Sequence, residues 1–308
     1  MPGKNSERKQ LLEEPAAKPG DWPGHGEAQE CWSEAPGCRM RYLRIPGENN
    51  SIPILLVHGL IGYSFSWRFN MKALARERTV YAVDLPGIGF SQRRRESECN
   101  LRTIAEGLCA FLREQRIGVV DVVGSSHGGA VTMMLAALGE SRRSGPRVRR
   151  MVLSAPVNPW SRHGRVIAQL LATRAGGALF RHMRPHLSPL HGRVLSRMYG
   201  DPLRISAGTL EGYEAPLKIE GTSEHLLAIM RCWRRDMGEI EVMLPSIRHL
   251  PTLLIWGDKD KAVLPQSAEP LKAHLQQAEL VLIRGAGHLP YEEVPDQFNS
   301  AVNEFLGR

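Results

Sequence analysis

The chain has 308 residues, 42% of them hydrophobic and 23% charged, with 40 Lys and Arg against 32 Asp and Glu and a formal net charge of +8. That composition excludes wholesale disorder, a collagen-like chain and a coiled coil. No apolar run approaches the ~18–20 residues needed to cross a bilayer, which excludes a spanning helix.

Residues 1–36 are polar and rich in Pro, Gly and Glu, and they read as a mobile extension. They hold four basic and seven acidic side chains, a net −3, so the excess positive charge lies in the rest of the chain. The stretch Arg39 to Arg44 predicts an early strand. Short continuous apolar runs then recur: IPILLVHG over 52–59, TVYAVDLPG from Thr79, VVDVVGSS from Val119, RRMVLSAP from Arg149, PTLLIWGD from Pro251 and ELVLIRGAGH from Glu279. Runs of this kind are buried on both faces of a parallel sheet. Helices are predicted between them over 101–116 and 127–138, and at the end of the chain over 295–306, from apolar residues at helical spacing. Strands alternating with helices give an α/β fold, a mostly parallel sheet flanked by helices. From Val157 to about Leu250 no buried strand is evident. That interval is too long for a loop and reads as a helical subdomain broken by several Gly and Pro, Pro245 among them. The core is therefore expected over 37–156 and 250–308, with a helical insertion over 157–249.

Cys31, Cys38, Cys99, Cys109 and Cys232 are odd in number, with no C-x-x-C pair. That argues against a disulfide framework or a zinc site. With no apolar leader core at the N-terminus, the expected compartment is the cytoplasm.

The chemistry centres on VVGSSHGG. Gly124, Ser126 and Gly128 satisfy G-x-S-x-G between an apolar strand and an apolar helix. On so tight a turn the flanking positions must be Gly, and Ser126 Oγ is thrust above the sheet. The new helix aims its N-terminal N–H groups at the place where negative charge develops. Ser125 is the competing hydroxyl and is read as a small residue tolerated by the turn. A serine is a weak nucleophile and needs a base oriented by an acid. His288, in GAGHLPYEEVP, stands just past the last strand run and is the expected base. The acid comes from WGDKD, as Asp260 or alternatively Asp258. The order Ser126, Asp260, His288 is that of the α/β hydrolases. Two backbone N–H groups should form an oxyanion hole: His127, next to the nucleophile, and Leu60 in HGLIG, with Ile61 as its alternative. His58 is expected to brace that loop.

HGLIG, DLPGIGFS, GSSHGG, WGDKD and GAGHLPYEEVP together resemble the motif series of the α/β-hydrolase superfamily, from about Cys38 to the C-terminus. The resemblance implies Asp260 as the acid and a helical cap over 157–249. Ser126 argues against relatives that use an Asp nucleophile. Hydrolases of ring-cleavage products commonly carry Trp after the catalytic His and G-N-S-M-G-G at the elbow; here Leu289 follows His288 and the elbow reads GSSHGG.

The function expected is hydrolysis of a small-molecule carboxylic ester through an acyl-enzyme. C–C hydrolysis of a ring-cleavage-type keto-acid is one alternative. A ligand-binding protein with vestigial turnover is the alternative of another class. No cofactor and no metal are expected: His182, His186 and His191 lack a completing carboxylate. Arg93, Arg94, Arg95 and the run from Arg142 to Arg150 lie in predicted connections without interleaved aromatics, so no nucleic-acid partner is expected. A homodimer is the oligomeric expectation. Between Val157 and Leu250 there are twelve Arg and one Lys against eight acidic residues, and one or two of those arginines facing the pocket could bind an anionic acyl group.

Overall fold

The structure is a computed structural model that describes residues 27–35, 39–49, 51–93, 99–141, 145–161, 165–183 and 188–308. Its strands are β1 (Gln29–Ser33), β2 (Met40–Ile45), β3 (Ile54–Val57), β4 (Val80–Val83), β5 (Val119–Ser125), β6 (Arg147–Ser154), β7 (Thr252–Gly257) and β8 (Ala278–Ile283). They form one sheet in the order β1-β2-β4-β3-β5-β6-β7-β8. β2 runs antiparallel to both β1 and β4, and every pairing from β4 to β8 is parallel. All parallel strands therefore end on one edge of the sheet, where ligands of open α/β sheets bind.

The helices are α1 (Met71–Leu74), α2 (Leu101–Glu114), α3 (His127–Ser141), α4 (Arg165–Ala172), α5 (Arg174–Met183), α6 (Ser188–Met198), α7 (Thr209–Glu214), α8 (Thr222–Ile247), α9 (Ala268–His274), α10 (Pro290–Glu293) and α11 (Pro295–Gly307). Alternation along each strand divides the core. Leu55 and Val57 join the layer built with α2, α3, α8 and α9, while Ile54 and Leu56 join the layer built with α1 and α11. All four β3 side chains are buried. Each contributes about 1.5–3 kcal/mol, more than the ~1–2 kcal/mol that ordering one backbone residue costs. Helix α2 starts where Asn100 Oδ1 accepts the Thr103 N–H at 2.8 Å. It stops before Arg116, whose φ of 57° is left-handed. The predicted end at 116 is thus two residues long.

Three expectations need correction. Within the supposed extension 1–36, Gln29–Ser33 is a strand, registered on Arg44–Met40. Its hold is polar: Arg41 Nη2 lies 3.0 Å from Glu30 Oε2, so hydrophobic patterning misses it. Residues 1–26 and 36–38 lie outside the described residues. The helical segment is also less broken than its Gly and Pro suggested. Gly176 and Gly177 sit inside α5, and Pro245 sits in the last turns of the 26-residue α8. Finally, β8 is an edge strand with only Ile283 buried, whereas its run suggested burial on both faces.

Asp236 on α8 is buried against the start of α2, and its Oδ2 accepts the Leu101 N–H at 3.1 Å. Burial pushes its carboxyl up to about 6 from an ordinary value of 3.8. Between those two values the folded chain keeps a proton that the unfolded chain releases, so stability falls as pH rises through that window. Asp236→Asn keeps an acceptor and removes the charge. It is expected to raise Tm by roughly 2–4 °C at pH 8 and to leave it unchanged near pH 3.5. Thermal melts at the two pH values check this, and equal shifts at both would contradict it.

Candidate active site

The turn from β5 into α3 holds Ser126 at a left-handed φ of 52°, a conformation that costs a non-glycine residue energy and persists only where its surroundings hold it. The Ser126 N–H donates to Ser154 O at 2.9 Å, and Ser126 O accepts from Gly129 N and Val157 N at 3.0 Å each. Gly124 and Gly128 have no room for a side chain. A Cβ on Gly128 would stand 2.3 Å from the carbonyl oxygens of Val57 and His58, and one on Gly124 would stand 2.3 Å from Thr132 Oγ1. The loop after β3 closes on the serine, since a Cβ at Gly59 would lie 3.3 Å from Ser126 Cβ. Neither the Leu60 nor the His127 N–H has a protein acceptor among the hydrogen bonds of the described residues.

The loops after β7 and β8 bring Asp260 and His288 together. His288 Nδ1 lies 2.8 Å from Asp260 Oδ2, and both residues are buried. Asp260 Oδ1 accepts the N–H groups of Ala262 at 2.7 Å and Val263 at 3.0 Å, which fixes the carboxylate plane. The carboxylate therefore holds the proton on Nδ1 and leaves Nε2 as the basic nitrogen. Asp258 is exposed and does something else: its Oδ1 accepts the Gly285 N–H at 2.7 Å and ties the two loops together. Ser126 is half-buried on the same edge of the sheet, and no hydrogen bond joins it to His288 among the described residues. In unliganded sites such bonds are often long and tighten only around substrate.

His58 donates from Nδ1 to Gly59 O at 2.7 Å and accepts the Leu85 N–H on Nε2 at 2.8 Å. Burial lowers its pKa, so it is neutral and braces the loop. The His127 ring is buried with both nitrogens unpartnered. Burial, then His58 and His225, push its pKa down to about 3.

Two carboxylates that sequence reasoning gave no role follow His288. Glu293 accepts the N–H groups of Gly287 at 2.7 Å, Asp201 at 2.8 Å and Gly200 at 2.9 Å. Glu292 accepts from Arg68 Nη2 at 3.0 Å, from Tyr199 OH at 2.7 Å and from Tyr213 OH. The His288 N–H itself donates to Met198 O at 2.6 Å. Residues 198–201 of the helical segment are thereby bonded directly to the His288 loop. The available signal was a pair of Glu in an otherwise apolar HLPYEEVP, because acidic side chains are buried only when paired. Glu293→Gln keeps the volume but turns an N–H₂ group toward backbone donors. A loss of about 10–100-fold in kcat/KM is expected from the shifted His288 loop, although neither Asp260 nor His288 is substituted. Steady-state kinetics of the purified variant check it, and wild-type turnover would show that the clamp does not position His288.

Several basic residues have partners inside the protein. Arg93 donates to Gly89 O, Ser91 O and Thr222 Oγ1, and Arg149 pairs with Asp121. Arg94, Arg95, Arg142 and Arg143 lie outside the described residues, as does His186. His191 Nδ1 lies 2.9 Å from Glu214 Oε1. Every arginine of 157–250 whose side chain is described is exposed. No helix among the described residues is long and apolar enough to cross a membrane.

The chain is 28% identical over 277 residues to the dihydrolipoyllysine-residue acetyltransferase component of an acetoin cleaving system of Pseudomonas putida, covering 89% of this chain and 68% of that one. It is also 28% identical over 260 residues to 2-hydroxymuconate semialdehyde hydrolase of Pseudomonas sp. (strain CF600), covering 82% and 86%. Among solved structures, Cfl2 of Burkholderia cenocepacia superposes with a TM-score of 0.79 at 19% identity, over 91% of this chain and 96% of that one. At that identity the likeness speaks for the fold alone. The alpha/beta hydrolase fold family matches residues 52–295, from just before β3 to the start of α11, and the chain belongs to that family.

Proposed function

We propose that the protein is a serine hydrolase of uncharged carboxylic esters, with Ser126 as nucleophile, His288 as base and Asp260 as its orienting acid. The observation that carries this reading is the 2.8 Å bond from His288 Nδ1 to Asp260, which leaves Nε2 to serve Ser126. Ser126 Oγ forms a bond to the ester carbon while its proton passes to His288 Nε2. The C–O bond to the alcohol then breaks as that proton moves to the leaving oxygen. Water next attacks the acyl-enzyme, gives a proton to His288, and releases the acid and free Ser126. The Leu60 and His127 N–H groups hold the oxyanion, each contributing about 2.7–4 kcal/mol. No cofactor or metal enters any step. Residues 157–249 act as a cap, a reading supported by the bonds from residues 198–201 to the His288 loop. The exposure of the described cap arginines favours an uncharged acyl group.

The second reading is C–C hydrolysis of a keto-acid, favoured by the relatives named as hydrolases of 2-hydroxymuconate semialdehyde and of 2-hydroxy-6-oxo-2,4-heptadienoate. A panel of p-nitrophenyl esters of graded acyl length, run beside a 2-hydroxy-6-oxo-dienoate, separates the two. Ester turnover with no dienoate consumption is the expected result, and the reverse pattern would transfer the assignment to the C–C bond.

A further inference from the structure

The positive charge of the chain is concentrated. From Arg162 to Arg204 the sequence holds eight arginines, no lysine and one acidic residue, Asp201, a net +7 in a chain whose total is +8. The same stretch exposes large apolar side chains. Leu203 is 93% exposed, Leu170 60%, Leu179 58% and Val194 50%, and Leu190 is also exposed. Isolated exposed leucines are ordinary, but several on consecutive helices mark an interaction surface.

Helix α6 shows how charge and apolar surface are interleaved. Leu190 and Val194 are four residues apart and share a face, and Arg193 and Arg197 are likewise four apart on a neighbouring stripe. Arg174 opens α5. All three arginines are exposed, and none is paired with a carboxylate among the described residues. Arg204, by contrast, is engaged with Asp201 and Glu293. An acidic protein partner would satisfy the arginines, but it offers nothing specific to five exposed aliphatic side chains. A second copy of the chain would bury the aliphatics but set Arg174, Arg193 and Arg197 against the same three arginines. A surface that is both anionic and apolar just beneath its charge satisfies both.

We propose that helices α4 to α6, with Leu203, dock on an anionic lipid bilayer, with Arg174, Arg193 and Arg197 at the headgroups and the leucines dipping among the acyl chains. The surface adjoins the candidate active site, because α6 ends at Met198, whose carbonyl accepts the His288 N–H. One helical turn, about 5.4 Å of rise, separates Val194 from that contact. An ester dissolved in the bilayer would thus be presented at the Ser126 edge of the sheet. The delivery of substrate rests on the ester-hydrolase reading; the docking does not.

Co-sedimentation of the full chain with phosphatidylglycerol–phosphatidylcholine vesicles and with phosphatidylcholine vesicles, in low and high salt, tests the docking. Binding to the anionic vesicles alone is expected, weakened by salt. Arg174→Gln/Arg193→Gln/Arg197→Gln should weaken it about a hundredfold, and Leu170→Ser/Leu179→Ser at least tenfold. Turnover of a soluble ester by both variants should match wild type, which also shows that they fold. Failure to sediment with anionic vesicles at low salt overturns the proposal, as does wild-type binding by the arginine variant. A solution dimer that the leucine variant dissociates would assign the surface to a second copy and overturn it too. Ser126→Ala should bind vesicles like wild type, so a failure of the catalytic reading leaves the docking result standing.

Discussion

Ser126→Ala is expected to lower kcat/KM for a p-nitrophenyl ester by about 10⁴-fold or more while leaving the fold intact. In the proposed mechanism the Oγ is the atom that forms the acyl bond. Ser125, its neighbour, is fully buried at the end of β5. Alanine accepts the turn no better than serine does, so the left-handed φ of 52° is kept by the same surroundings, the bonds to Ser154, Gly129 and Val157. Residual turnover of about 10³–10⁴ over water should survive, since the oxyanion donors and the binding surface remain. Steady-state kinetics beside a thermal melt separate loss of chemistry from loss of fold. Retention of more than about a tenth of wild-type turnover would remove Ser126 from the reaction.

Asp260→Asn is expected to cost about 10⁴-fold in kcat/KM. The two carboxylate oxygens have different duties: Oδ1 accepts from Ala262 and Val263, while Oδ2 faces His288 Nδ1. An asparagine must keep its oxygen toward the two backbone donors, which turns its N–H₂ group toward the imidazole. Nδ1 then becomes an acceptor, the ring proton moves to Nε2, and the base can no longer take the serine proton. Asp258→Asn is the matched control. Asp258 is exposed and braces Gly285, so its variant should stay within about threefold of wild type. Comparable losses from both substitutions would mean that the imidazole is not oriented by Asp260 alone.

Local sterics made the parallel strands and the elbow legible from sequence. A four-residue apolar run buried on both faces, and glycines with no space for a Cβ, write themselves into composition and spacing. Other features depend on contacts that sequence distance hides. Asp258 and Asp260 are two residues apart in one loop, and which of them reaches His288 is decided by the turn that Ala262 and Val263 close around Oδ1. Glu292 and Glu293 stand out in sequence as a charged pair in an apolar stretch, but their partners lie in distant segments that sequence does not connect: Arg68 in the loop before α1, and Tyr199, Gly200 and Asp201 at the end of α6. Strand β1 leaves little apolar pattern, because Glu30 and Ser33 tie it to Arg41 and Glu114 through polar contacts. Pro245 predicts a break in the helical segment, yet α8 runs on to Ile247. The proline falls so near the C-terminal end that few helical bonds follow it.

The charge shows a similar split. Spread over 308 residues, +8 points nowhere in particular. Arg41 and Arg68 are buried and paired with carboxylates, and Arg78 and Arg149 share Asp121. Arg174, Arg193 and Arg197 on α5 and α6 stay exposed without a carboxylate, beside exposed apolar side chains of the same helices.

Labelling with a fluorophosphonate, followed by peptide mass spectrometry, addresses the nucleophile without any assumption about substrate. The phosphonyl group should be found on Ser126 at one equivalent per chain, formed within minutes, abolished in Ser126→Ala and strongly slowed in Asp260→Asn. An unlabelled chain, or a label on another residue that persists in Ser126→Ala, would contradict the assignment of Ser126 as an activated nucleophile.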